Sequence, residues 1–320
     1  MVQLLWQYER LSSLLSLSAK SVWLLMAFCC LGDSQLACAQ GFYSAAGKLA
    51  SRAGVERAER PSTTEWTTEI AFEQFHIHCD FALQDADFLQ TSLESLADDL
   101  KEVLGVVSRD NAIHIVLFET ETEYRRYMST YFPQLPVRRA LFIKDRGPGM
   151  LFAYWHSEVL GDLRHEVTHA LLNSGSQPLP LWLDEGIAEY FEIAAEARYR
   201  ENPYLVDVSN TLNQTSIQSL SELEQKTNLA DLNDSDYRDA WAWVHFLIHR
   251  SPKSRQMLQQ FLLSSRHRPP KSSTPSPTPS GLSLARMVAD MDSVEAQFLH
   301  HFASLQNSPG NRDSQSQVVE

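Results

Sequence analysis

The sequence predicts an α+β fold in which a small β-rich part precedes a helical part. Short apolar, β-favouring runs gather between residues 75 and 155. Helical spacing of apolar residues dominates from about residue 158 onward. No internal repeat interrupts this order, so residues 63–304 read as one unit.

The elements follow in chain order. Phe75 to Leu83 is rich in apolar and β-favouring residues and reads as a strand. Residues 87–104 place Phe88, Leu93, Leu96, Leu100, Val103 and Leu104 at helical spacing, and Gly105 is the stop signal. Ile113 to Phe118 is a short apolar run suited to a buried strand, and Glu121 to Tyr131 reads as a helix. Ala140 to Ile143 and Met150 to Trp155 are two further strands, separated by a turn at Gly147-Pro148-Gly149. By its order along the chain, Met150 to Trp155 is expected to be the edge strand that pairs with an extended ligand. Helices are expected over 158–173, 183–198, 236–250 and 282–304. Residues 266–280 form a Pro/Ser/Thr-rich insertion that cannot build a core, and 305–320 read as a disordered tail.

Composition narrows the function. The 320 residues are 43% hydrophobic and 21% charged, as in a globular protein. A net charge of −13 repels phosphate backbones, so nucleic acid is not an expected partner. Residues 1–39 read as a signal peptide: Arg10 and Lys20 precede an apolar run from Val22 to Leu31, too short to span a bilayer. Ala37-Cys38-Ala39 then offers a small-x-small cleavage site, and residues 40–62 form a polar lead-in. The expectation is export to a periplasmic or extracellular space with no stable membrane span; Cys38 is a weak lipoprotein anchor. Only Cys79 would remain in the mature chain, so a metal site would have to rely on histidines and carboxylates.

Such a set is present. His165-Glu166-Val167-Thr168-His169 lies in a helical segment, and the i, i+4 spacing puts both imidazoles on one face, where they can share a metal ion. Glu166 is placed to reach a metal-bound water as a general base. Two histidines on a helix face can also be merely hydrogen-bonded. The next segment argues for more: Trp182-Leu183-Asp184-Glu185-Gly186-Ile187-Ala188-Glu189-Tyr190 reads as the start of a second helix. A catalytic zinc site takes three protein ligands and keeps one position open. Glu185 is the expected third ligand. Glu189, one turn on, is expected to accept the free ring N–H of a ligating histidine, and Asp184 to face elsewhere. Tyr237 and His245, on one stripe of a later helix, are the candidates for stabilising an oxyanion. His156 reads as a surface residue; His76, His78, His114, His249, His300 and His301 show no partner pattern.

These motifs resemble the gluzincin metallopeptidases, and among them the bacterial proteins with a peptidase MA-like domain of the DUF1570 type. The similarity covers roughly residues 70–250, including Arg138-Arg139-Ala140-Leu141-Phe142-Ile143 and the segment from Tyr237 to Leu247. The resemblance implies a zincin-like fold, zinc on His165, His169 and Glu185, Glu166 as catalytic base, and a cleft with a sheet edge above the metal helix. It also implies a peptide or protein substrate. Hydrolysis of a non-peptide amide or ester, and a non-catalytic zinc-binding module, are the competing readings.

Overall fold

The computed structural model describes residues 66–105, 112–136, 138–144, 148–172, 179–214, 217–266, 283–291 and 293–306. The expected signal peptide, the polar lead-in, residues 267–280 of the insertion and residues 307–320 of the tail lie outside them. Among the described residues no helix is long and apolar enough to cross a membrane.

The fold is α+β: a five-stranded mixed sheet followed by helices. The strands are β1 (Thr68–Phe72), β2 (Phe75–Cys79), β3 (Ile113–Phe118), β4 (Ala140–Ile143) and β5 (Gly149–Tyr154), in sheet order β1-β2-β3-β5-β4. β1 and β2 form an antiparallel hairpin through Glu73, a non-glycine residue at φ 45°. Helix α1 (Ala86–Leu104) carries the chain from β2 to β3, which pair in parallel, and α2 (Glu121–Tyr131) follows β3. Gly105 ends α1 in the left-handed region, φ 71°, where its lack of a Cβ costs nothing.

One expectation is corrected here. The segment Met150 to Trp155 is not an edge. β5 lies inside the sheet, parallel to β3 on one side and antiparallel to β4 on the other, and β4 is the edge. Leu151, Phe152 and Ala153 are buried on both faces, as suits an interior strand. Order along the chain does not set order in a sheet.

The two faces of the sheet differ. Phe75, Ile77, Ile113, Ile115, Leu117, Phe142 and Leu151 point inward, into a core shared with Leu93, Leu96 and Leu100 of α1 and with Leu163 and Val167 of α3 (Val159–Leu172). Val116, Phe118, Leu141 and Phe152 point outward and are partly roofed by Tyr124 and Met128 of α2.

The helical part continues with α4 (Leu181–Glu192), α5 (Tyr204–Gln214), α6 (Leu220–Gln225), α7 (Asp234–His249), α8 (Pro252–Arg266), α9 (Leu284–Ala289) and α10 (Val294–Gln306). β1, α5, α6 and α8 carried no clear sequence signal. α4 stops at Glu192 rather than running to 198, because Ile193 turns extended at φ −84°, ψ 139°. The single helix expected over 282–304 is broken between Ala289 and Val294, where Ser293 adopts φ 49°.

α7 carries a buried histidine that anchors α10. His245 has no solvent exposure; its Nε2 lies 3.1 Å from the Tyr199 carbonyl and its Nδ1 2.9 Å from His301 Nε2. A carbonyl only accepts, so Nε2 carries the His245 proton, Nδ1 accepts, and His301 donates. His249 meets the Tyr190 hydroxyl at 2.6 Å in the same cluster. Burial, aided by Arg255 for His249 and by Arg250 for His301, pushes both imidazoles down to about 4.

At these two imidazoles the folded state therefore binds fewer protons than the unfolded chain between about pH 6.5 and 4. Their contribution to stability is fully present above that window and is lost as pH drops through it. Thermal unfolding of wild type and of a His301 variant, compared from pH 8 to 4, is expected to isolate this loss. His301→Gln keeps a donor to His245 without titrating and should reduce the proton uptake on unfolding by about one; an unchanged pH slope would count against the assignment.

Candidate metal centre

α3 and α4 lie side by side and bring the expected residues together. His165 Nε2 is 3.6 Å and His169 Nε2 3.8 Å from Glu185 Oε2. These atoms lie within 4.8 Å of one another. Tetrahedral zinc, with bonds of about 2.0–2.2 Å, spaces neighbouring donors about 3.3–3.6 Å apart, close to what is seen. Glu185 Oε2 is buried and makes no hydrogen bond. A buried carboxylate oxygen without a donor costs free energy, which a cation would recover.

The chain folds this way for local reasons. Arg164, next to His165, is buried and donates from Nε to the carbonyls of Phe191 and Glu192, both at 3.1 Å. Those carbonyls end α4, where no intrahelical N–H is available to them. On its other side α4 packs against α7, and a Cβ on Gly186 would come within 2.7 Å of the Ala240 carbonyl oxygen. Glycine at 186 thus lets the two backbones touch directly beside Glu185.

The outward-facing nitrogens of the two histidines also have carboxylates. His169 Nδ1 lies 3.2 Å from Asp184 Oδ2, and His165 Nδ1 3.4 Å from Glu192 Oε2. This corrects two expectations. Asp184 does not face elsewhere, and Glu189 is not the carboxylate at a ligand's second nitrogen. Adjacent residues on a helix diverge by about 100°, which is what lets Asp184 and Glu185 address opposite edges of one imidazole. Glu189 instead hydrogen-bonds Tyr204 and adds negative charge beside His165. His165, Glu189 and Glu192 form a second grouping able to hold a cation, overlapping the first at His165.

The electrostatics are those of a site rich in negative charge. Burial works to lower both histidines, but Glu185 and Glu192 outweigh it and hold His165 well above its ordinary range, as Asp184 and Glu185 raise His169. Burial would raise Glu185, yet the two histidines and Arg138 hold it below the usual carboxylate range. Burial, with Glu192 and Glu185 nearby, pushes Glu189 up to about 7. Carboxylates outnumber cations here, which favours a cation over an anion.

Glu166 sits on the inner side of α3, with Oε2 accepting the Phe142 N–H of edge strand β4 at 2.9 Å. Burial raises its pKa, while His169 and His165 act against that rise. Tyr237, at the start of α7, is half-buried and hydrogen-bonds Arg138; burial and Glu185 raise its hydroxyl to about 12. Arg138, named above only as part of the similar segment, lies within electrostatic reach of Glu185 and Glu166. His245, the other oxyanion candidate, is not here. Eight residues along α7 from Tyr237, it lies about 12 Å further along the axis, inside the α10 cluster. His156 pairs with Asp162 at 3.1 Å.

Comparison of the chain with family models gives no match, and comparison with curated proteins gives none either. The family resemblance therefore rests on the motif residues.

Gly186→Ala is expected to destabilise the fold by about 1–3 kcal/mol, because the added methyl meets backbone rather than a movable side chain. Denaturant titration measures this; an unchanged midpoint would mean that α4 and α7 part at no cost.

Proposed function

We propose that this protein is a zinc-dependent hydrolase, and that its substrate is a peptide or protein. The observation that carries the first part is the convergence of His165 Nε2, His169 Nε2 and Glu185 Oε2 with Glu166 one residue from the first histidine. Zinc bound there would supply a Lewis acid and a water acidic enough to react near neutral pH.

The chain's own residues then have the following roles. Asp184 and Glu192 fix the ring orientation of His169 and His165 and keep their Nε2 lone pairs turned inward. Glu166 has Oε2 held by the Phe142 N–H, so Oε1 is left to take a proton from the attacking water and pass it to the leaving amine. Its raised pKa, a consequence of burial, suits a group that must both accept and release. Arg138 and Tyr237, hydrogen-bonded to each other and within electrostatic reach of Glu185, are the donors we assign to an oxyanion.

The peptide part of the reading leans on the family resemblance and on β4. An edge strand beside the motif helix is what a zincin-like cleft requires. β4 pairs with the sheet on one side only; on the other the Phe142 N–H goes to Glu166, and the backbone flanking it is where we place an extended chain.

Glu166→Gln is expected to keep zinc and lose peptide cleavage by about 10²–10⁴-fold, read by metal analysis beside an assay on a mixed-peptide substrate. Equal cleavage by both proteins would remove Glu166 from the reaction. Asp184→Asn should weaken zinc binding by about 10–100-fold without changing the other ligands, as measured by competition with a chelator.

A further inference from the structure

Glu185, Glu189 and Glu192 stand at i, i+4 and i+7 on α4, so the helix turns one stripe of carboxylates toward His165 of α3. A stripe at that spacing between packed helices is ordinarily apolar. Here Glu185 is buried, and Glu189 and Glu192 are half-buried. Like charges one turn apart repel, and burial strengthens the repulsion. Asp162 adds negative charge beside Glu192. Among the described residues, neither Glu189 nor Glu192 is ion-paired with an arginine or lysine. One ion held by Glu185 leaves both of these charges in place.

His165 reaches both ends of the stripe. Its Nε2 is 3.6 Å from Glu185 Oε2, and its Nδ1 is 3.4 Å from Glu192 Oε2. Ligand atoms of His165, Glu189 and Glu192 already lie within 4.8 Å of one another, with no side chain moved. The 3.4 Å separation is that of neighbouring donors around zinc with bonds of about 2.0–2.2 Å. Tyr204 hydrogen-bonds Glu189 and holds its direction, as a group behind a metal-ligating carboxylate does. The Glu192 side chain is 32% exposed, which gives an ion a way in from solvent without passing Glu185.

We infer that His165 Nδ1, Glu189 and Glu192 hold a second divalent ion, zinc or another metal that accepts nitrogen and carboxylate donors together. His165 then bridges two ions, a reading that rests on the zinc proposed above for the first. Binding expels the Nδ1 proton to solvent and leaves His165 an imidazolate with one nitrogen on each ion. The imidazolate and the two carboxylates offset the charge of the second ion, which lowers its repulsion from the first.

The test is titration of the metal-free full chain with Zn²⁺ against a chromophoric chelator, with circular dichroism to confirm folding. Wild type is expected to bind two equivalents. Glu189→Gln/Glu192→Gln should keep one, because the amide carbonyl at 192 still accepts the Nδ1 proton. His169→Gln should keep the other. His165→Gln should weaken both by about tenfold or more, as only a shared ligand would. Two equivalents of unchanged affinity in Glu189→Gln/Glu192→Gln would overturn the second site. A single wild-type equivalent, lost in His169→Gln and kept in Glu189→Gln/Glu192→Gln, would overturn it and leave the zinc reading of α3 and α4 standing. A single equivalent with the opposite dependence would overturn the bridge and that reading alike, as would no binding at all. Should the double variant fail to fold, Glu189→Gln takes its place: weakening of one equivalent by about tenfold supports the site, and none overturns it.

Discussion

Arg164 ties together the helices that supply the candidate centre. Its buried guanidinium donates to the terminal carbonyls of α4 and, from Nη1, to the Ser92 carbonyl of α1 at 3.3 Å. A cation at a helix C-terminus meets both unpaired carbonyls and the negative end of the helix dipole. Because Arg164 precedes His165, this tether sets where both histidines fall relative to α4. The bare contact at Gly186 fixes α4 from the other side, against α7. The spacing of His165, His169 and Glu185 follows from these two constraints.

The same residue type behaves in opposite ways at two places. His165 and His169 stand among carboxylates, and their pKa values rise despite burial. His301 is buried and His249 half-buried, with arginines rather than carboxylates nearby, and theirs fall to about 4. Burial always disfavours the charged imidazole; the neighbouring charge decides whether that effect is reversed. One group is suited to holding a cation, the other to joining α7 and α10 as neutral rings.

The sheet serves the centre mainly through its edge. The inner face packs α1 and α3, while β4 touches Glu166 through a single backbone N–H. A carboxylate fixed by one oxygen keeps its direction and retains the other oxygen for a proton. The outer face is less occupied, roofed by α2 over part of its area and lined with histidines elsewhere.

By itself the sequence determined the α+β class, the strands at 113–118 and 140–143, and the amphipathic helix before Gly105, and it pointed to His165, His169 and Glu185 as residues that come together. These are local properties. Apolar periodicity and i, i+4 spacing act within a few turns of one element, so the residues display them directly. Tertiary structure decided the rest. That β4 and not β5 is the edge depends on which strands pair. That Asp184 and Glu192 serve the second nitrogens depends on how α4 is rotated against α3, which Arg164 and Gly186 set. That Tyr237 comes within electrostatic reach of Glu185 while His245 is sealed beside His301 depends on the length of α7 between them. The cluster of His76, His78 and His114 arises only in the register of β2 with β3. Each of these is a meeting of residues distant in sequence, brought about by packing rather than by spacing along the chain.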